Sequence, residues 1–156
     1  MSDPSVVTLR PAAAADGEAL WQWRNDPAAR RASFDGREIP WEEHADWLAR
    51  TLGRPDRRLW IVEVAGTPAG MVRLDVEGDC AAVSLNVAPA FRGAGVGPVA
   101  LARAAGEAFG ALGLSTLVAR VKVDNPASRA AFERAGFTVT GTGAGVITVR
   151  RTRRTP

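Results

Sequence analysis

The segment Arg92-Gly93-Ala94-Gly95-Val96-Gly97 places three glycines at alternate positions, after an apolar run and before a helix-forming one. Glycines so spaced let the backbone approach a ligand closely and turn its N–H groups inward. The helix that follows adds the positive end of its dipole, and Arg92 adds a planar donor fork. Together these make an anion cradle, most naturally for a phosphate or pyrophosphate. A P-loop does not fit, because Pro98 and Val99 stand where Lys and Ser/Thr are needed. The dinucleotide fingerprint fails too, since the sixth position counted from Gly93 is Pro98. A glycine turn without a ligand is the plain alternative.

Other candidates for chemistry are few. His44 is the only histidine and Cys80 the only cysteine, which nearly excludes a metal site of converging His and Cys ligands. An ordinary histidine pKa of about 6.5 suits proton transfer at neutral pH. Packing beside Trp41 and Trp47, or simple exposure, explains His44 more readily. Glu43 is a second base candidate, with a solvated helix face as its plain role. Asp75 and Glu63 read more simply as hairpin surface charge. Arg24 could pair with a phosphate. Trp23 could stack on a sugar or base, although core packing suits it better. Cys80 has only Asp79 as a charged neighbour and reads as structural.

Positioning such groups requires a frame. A strand over 6–9 closes at Pro11, and helices are expected over 12–24, 26–31 and 41–52. Asp26 caps the second, with Pro27 at its first position. The third presents Trp41, His44 or Ala45, Leu48 and Leu52 on one face. The period then changes. Strands over 59–65 and 71–76 form a hairpin around a turn at 66–70, and a strand over 82–87 follows. A helix over 98–112, a strand over 116–123, a helix over 127–135 and strands over 137–140 and 146–150 complete the order. This pattern predicts an α/β protein of the α+β kind, a mixed sheet with helices on its faces.

Composition agrees. A chain of 156 residues that is 46% hydrophobic and 24% charged fits one soluble domain, expected over 1–149, with a basic tail over 150–156. Disordered, collagenous and disulfide-stapled classes are excluded. No stretch reaches the roughly 18–20 apolar residues of a membrane span. Met1 to Arg10 lack a secretory pattern, so a cytoplasmic location is expected. The net charge of +3 is local: without Arg150, Arg151, Arg153 and Arg154 it is −1, from 16 basic and 17 acidic residues. Such a tail is expected to be a solvated terminus rather than a nucleic-acid contact.

The strand, Val87-Ala88-Pro89, Phe91-Arg92-Gly93-x-Gly95-x-Gly97 and helix together resemble the acetyl-CoA loop of the GNAT acetyltransferase superfamily. That family's Arg/Gln-x-x-Gly-x-Gly/Ala pattern is matched by Arg92, Gly95 and Gly97. A second block, from Asp124-Asn125-Pro126-Ala127-Ser128 through Phe132 to Ala135-Gly136-Phe137, is similar to the family's later helix and its Gly-Phe ending. In the N-terminal third, Trp23-Arg24-Asn25-Asp26-Pro27, Ser33-Phe34, Trp41-Glu42-Glu43-His44 and Trp47-Leu48 resemble two subgroups. The better match is to amino-sugar N-acetyltransferases of the pseudaminic acid pathway, ahead of ribosomal-protein N-terminal acetyltransferases.

The resemblance implies a GNAT-like fold, with a mostly antiparallel sheet splayed at the cofactor site. It implies transfer of acetyl from acetyl-CoA (coenzyme A) to a primary amine of a small molecule, a nucleotide-linked amino sugar being one candidate. Protein N-terminal acetylation and non-catalytic acyl-CoA binding are the alternatives. In this reading the backbone of Leu85 and Val87 holds the pantetheine arm. Arg92, Gly93, Ala94, Gly95, Val96 and Gly97 hold the pyrophosphate, and Asn125 and Ser128 complete the cofactor contacts. Trp23, Arg24, Asn25, Phe34 and Trp47 flank the acceptor, and His44 and Glu43 are the base candidates. Many relatives carry a tyrosine where Phe132 stands, and this chain has none. Either water or Ser128 protonates the departing thiolate, or no donor is needed, since a CoA thiolate is a tolerable leaving group near neutral pH. No metal, nucleic acid or membrane partner is expected; relatives are often dimers, so the resemblance makes a homodimer one candidate assembly, while the sequence itself does not identify the oligomeric state.

Overall fold

Alternation along one strand decides the layering. Trp60 and Val62 are buried in one apolar cluster and Leu59 and Ile61 in another, on opposite faces of the same strand. A strand buried on both sides needs a layer of helices on each. The computed structural model describes residues 6–153. Its elements are β1 (Val7–Pro11), α1 (Gly17–Asn25), α2 (Pro27–Ala32), α3 (Trp41–Leu52), β2 (Arg57–Val64), β3 (Thr67–Glu77), β4 (Cys80–Val87), α4 (Val96–Phe109), β5 (Thr116–Lys122), α5 (Pro126–Arg134), β6 (Thr138–Gly143) and β7 (Val146–Thr152). Helices α1 and α3 cover one face through Leu20 and Leu48. Helices α4 and α5 cover the other. On α4, Ala100, Leu101, Ala104, Ala105 and Ala108 are buried at spacings of one, three and four. Small side chains on that stripe let the helix lie close to the sheet. Full burial of Leu101 or Leu74 is worth about 1.5–3 kcal/mol each.

The sheet runs β1-β2-β3-β4-β5-β7-β6. Every pairing is antiparallel except β4 with β5, which spans only Cys80–Thr116, Ala81–Leu117 and Ala82–Val118. Beyond Ala82 the two strands part. Each remains paired on its other side, β4 with β3 to Val87 and β5 with β7 to Lys122. The expected splay is therefore present.

Several sequence expectations need correction. The turn expected over 66–70 contracts to Ala65 and Gly66, both at positive φ, and β3 begins at Thr67. Ala69 is the extra residue of a bulge, because Val62 pairs with Gly70 and Glu63 with Pro68. Helix α4 starts at Val96 rather than Pro98, since left-handed Gly95 already forms its N-cap. The first helix is shortened by a 3₁₀ turn over Ala14–Asp16, where Arg10 grips the Asp16 carboxylate. The Arg10 hydrogen bond holds that carboxyl below its ordinary value. The buried face of α3 is His44, Leu48 and Thr51, while Trp41 and Leu52 sit at its exposed margins. Strand β7 runs to Thr152, so Arg150 and Arg151 belong to the sheet and not to a tail. Arg151 donates to the Ala135 carbonyl at 2.9 Å. Met1 to Ser5 and Arg154 to Pro156 lie outside the described residues.

Gly70 is where β3 and β4 press closest. A Cβ there would overlap the Asn86 carbonyl oxygen and stand 3.0 Å from the Val87 Cα. Gly70→Ala is expected to lower stability by about 1–3 kcal/mol, the usual cost of forced overpacking. Urea unfolding of the variant beside the parent protein measures it, and an unchanged midpoint would count against this contact.

Candidate active site

Parting strands leave backbone groups unpaired, and an extended chain alternates which edge each residue's amide and carbonyl serve. Ala88 N–H donates to Ala69 O on the β3 side at 2.8 Å. By alternation Val87 and Leu85 present theirs to the opposite edge, where β5 has left. At the end of this edge lies the glycine loop. Gly93 and Gly95 are left-handed, with φ of 78° and 79°. Open space surrounds the Cβ position of Gly93. Gly95 leads into α4 without a side-chain cap, so the first-turn amides of that helix remain free donors. Gly97 lies inside α4, where a Cβ would touch Leu85 and Ala131 at 3.4 and 3.5 Å. It sets the close approach of α4 to β4 and α5.

The loop residues divide by role. The Val96 side chain is buried in the core at 1% exposure, so only its backbone is available to a ligand. Arg92 points back rather than outward: Nε donates to the Val87 carbonyl at 2.9 Å and Nη1 meets Asp26 at 2.7 Å. Asp26 also accepts from the Ala28 and Ala29 amides as the cap of α2. Burial alone would raise its pKa, but Arg92 and those amides outweigh burial and hold it below the ordinary value. Arg92 thus ties the loop to the first turn of α2, a partnership between residues 66 positions apart that no local pattern signals.

On the α1–α3 face of the sheet a cleft of about 660 Å³ reaches across the splay to α5. It brings together Arg24, Phe34, Glu43, His44, Trp47, Leu85, Asn125 and Ser128 of the residues expected from sequence. Asn125 caps α5 by accepting from the Ser128 amide at 3.2 Å, which sets both residues on its first turn. The Phe132 ring lies at the cleft wall, edge-on to Phe137 at 5.1 Å, and brings no hydroxyl. Phe34 bridges the far side, with the Arg120 guanidinium 4.8 Å and the Lys122 ammonium 5.9 Å from its ring centre.

His44 is 5% exposed, between Trp41 and Trp47 at centroid distances of 6.5 and 5.4 Å. Its Nδ1 is buried without a partner. Burial first, and the Arg24 charge second, push its pKa below the ordinary value. Desolvation thus favours the neutral form of an imidazole that lines the cleft. Glu43 is exposed and ion-paired with Arg37, which ties up the charge a base would use.

Two expected acceptor contacts are not in the cleft. Asn25 clamps the loop before α3, accepting from the Ile39 amide at 2.7 Å and donating to the Ile39 carbonyl at 2.9 Å. Trp23 packs on the Leu20–Leu48 cluster, and its carbonyl accepts from Asn86. Sequence reasoning missed Arg73, Arg120 and Lys122 at the cleft. Alternation could have found them. Arg73 sits between buried Val72 and Leu74, and Arg120 between buried Ala119 and Val121. Among the described residues no cluster of His, Cys, Asp and Glu could hold a metal ion, and no helix is long and apolar enough to cross a membrane.

The family model for the acetyltransferase (GNAT) domain matches residues 7–138. No curated protein matches. Among solved structures, the spermidine N-acetyltransferase of Vibrio cholerae, in complex with CoA and spermine, superposes with a TM-score of 0.83 at 22% identity over 94% of both chains. The protein AAC(6')-Ib, in complex with paromomycin and acetyl-CoA, gives 0.83 at 18% identity over 95% of this chain and 94% of its own. A domain from Methanocaldococcus jannaschii gives 0.81 at 22% identity over 94% and 97%. At these identities the likeness is one of fold.

As the chain's only histidine, His44 gives an unambiguous proton NMR titration. Its midpoint is expected below the unfolded value of about 6.5. In the window between the two values only the unfolded chain takes up the proton. The stability from this group is therefore whole above the unfolded pKa and is lost as pH falls through the window. A midpoint at or above 6.5 would mean the imidazole is not desolvated as described.

Proposed function

The chain belongs to the GNAT acetyltransferase family, and from that premise we propose that it transfers acetyl from acetyl-CoA to the primary amine of a small molecule held in the cleft. The observation that carries the reading is the parting of β4 from β5 beside a left-handed glycine loop. That arrangement offers an extended edge for a pantetheine arm and free helix amides for a pyrophosphate. Acetyl-CoA supplies the thioester. The Leu85 and Val87 backbones hold the arm, and the amides over 93–97 take the phosphates. The Val87 amide is the donor we assign to the thioester oxygen. In other enzymes the loss of one such donor costs about 10²–10³ in rate.

The amine must be neutral to attack, against an alkylamine pKa of about 10.4. A lining rich in arginine disfavours the ammonium form. His44 lines the cleft, its burial favours the neutral imidazole, and it is the group we assign to take the proton, directly or through water. As the new bond forms between the amine nitrogen and the acetyl carbon, the bond from that carbon to sulfur breaks. Ser128 or water then protonates the thiolate in place of the hydroxyl that Phe132 lacks.

A bounded cleft favours a small molecule over a polypeptide N-terminus. Two proteins of this fold are described with spermine and with paromomycin, both small amines. For the acceptor we favour an amino sugar, nucleotide-linked in the finer reading. It is supported by the N-terminal motif and by the rings of Trp47 and Phe34 and the guanidinium of Arg24 that line the cleft.

Thiol release from acetyl-CoA across amino sugars, sugar nucleotides, aminoglycosides and peptides tests this, with calorimetric CoA titration alongside. Release with a small amine is expected. Tight CoA binding without release from any acceptor would favour a binding module instead. Gly95→Asp strains a left-handed residue and sets a carboxylate beside the phosphates, so CoA affinity should fall at least about 100-fold. Unchanged affinity in a folded variant would sink the loop assignment.

A further inference from the structure

The cleft is strongly cationic. Among the described residues its lining carries Arg24, Arg37, Arg50, Arg73, Arg120 and Lys122 against two carboxylates, Asp35 and Glu43. Both carboxylates are already bound by Arg37. Arg73 is engaged by Asp75 at 3.0 Å. Among the described residues, Arg24, Arg50, Arg120 and Lys122 have no ion-paired carboxylate. None of residues 92–97 lines the cleft, so this charge is separate from the phosphate loop.

Arg24 stands out within the set. Its Nη2 donates to the Asp35 carbonyl at 2.6 Å, but Nη1 is buried with no partner. An orphaned buried donor is costly, more so when charged. Neighbouring Arg37, Arg30 and Arg73 add repulsion to the cost of burial, and Asp35 opposes it. A planar fork with an unused donor, in a field of like charge, is complementary to an oxyanion. A polyamine would meet repulsion at the same wall.

We infer that the acceptor carries an oxyanion, a phosphate or a carboxylate, apart from its amine, and that Arg24 is the residue that holds it. The inference rests on acetyl transfer in this cleft. It narrows the acceptor to anionic amines and makes Arg24 the determinant of that choice.

The test compares an amino sugar, its phosphate ester, an amino sugar acid and spermidine as acceptors at saturating acetyl-CoA. The two anionic acceptors should exceed the neutral sugar in kcat/KM by at least about tenfold, as a charged hydrogen bond would give. Spermidine should be the poorest, and added salt should narrow the gap. Arg24→Gln should erase the preference and leave the KM for acetyl-CoA within about twofold, a loss confined to the bond in question. Because Arg24 also braces the Asp35 carbonyl, Arg24→Lys and Arg50→Gln serve as further variants. The first should keep part of the preference. The second should lower anionic turnover by about threefold, as loss of an exposed charge would. A preference for spermidine, or an anion preference that survives Arg24→Gln in a protein that still melts cooperatively, would overturn the inference. Calorimetry of the same acceptors on the CoA-bound protein separates the two readings. Selective binding of anionic amines without thiol release keeps the anion site and removes acetyl transfer. Thiol release without charge preference does the reverse.

Discussion

The molecule depends on one broken partnership in its sheet. β4 is held along its whole length by β3, and β5 along its whole length by β7, yet the two hold each other over three residue pairs only. Each outer pairing is long enough to keep its strand straight after the inner one ends. The edge so created turns main-chain groups of β4 away from β3 with no strand beside them, although Arg92 takes the Val87 carbonyl, and main-chain groups so placed favour a polar, extended ligand. The bulge at Ala69 and the tight packing of Gly70 on Asn86 hold β4 in register at that point. The glycine loop completes the groove because it lies directly beyond the same strand.

The side-chain chemistry follows from parity along the same strands. Val72 and Leu74 serve the core under α4 and α5, and Val83 and Leu85 belong to that core while also reaching the cleft where β4 and β5 part. Arg73, Ser84 and Asn86 line the cleft beneath α1 and α3. One sheet thus separates an apolar layer under α4 and α5 from a charged cleft on its other face, where the proposed acceptor would lie. His44 lies at the border, desolvated by two tryptophans and faced by Arg24. Burial, with the Arg24 charge second to it, favours the neutral imidazole, and under the proposed reading the same arginines favour a neutral amine beside it.

Much of this was legible in the sequence, for identifiable reasons. Gly93, Gly95 and Gly97 announce a backbone conformation, and backbone requirements survive in the residue types themselves. Alternation of Val83, Leu85 and Val87 against Ser84 and Asn86 gave the strand and its two faces. The position of Asn125 before Pro126 gave the helix cap. Tertiary partnerships were less visible. Asn25 looked like a ligand contact because it stands in a polar motif, whereas its amide forms a two-way bond with Ile39, far along the chain. Arg92 looked free to meet phosphate, and Asp26 claims it across 66 positions of sequence. Arg150 and Arg151 looked like a tail because charge suggests solvent. They alternate into a strand whose partner, β5, is specified more than thirty residues earlier. Gly70 was read as turn material, since nothing local distinguishes a turn glycine from one pressed against a neighbouring strand.

The most direct test of the account asks whether the opened edge of β4 receives the cofactor. Backbone amide exchange of the full chain, followed by NMR with and without acetyl-CoA, addresses it residue by residue. The account predicts new protection at the amides of Leu85 and Val87 and in the turn over 93–97, with little change at the interior pairs of β2 and β3. Saturating acetyl-CoA that left Leu85 and Val87 as exposed as before, or protected another face of the sheet, would contradict it.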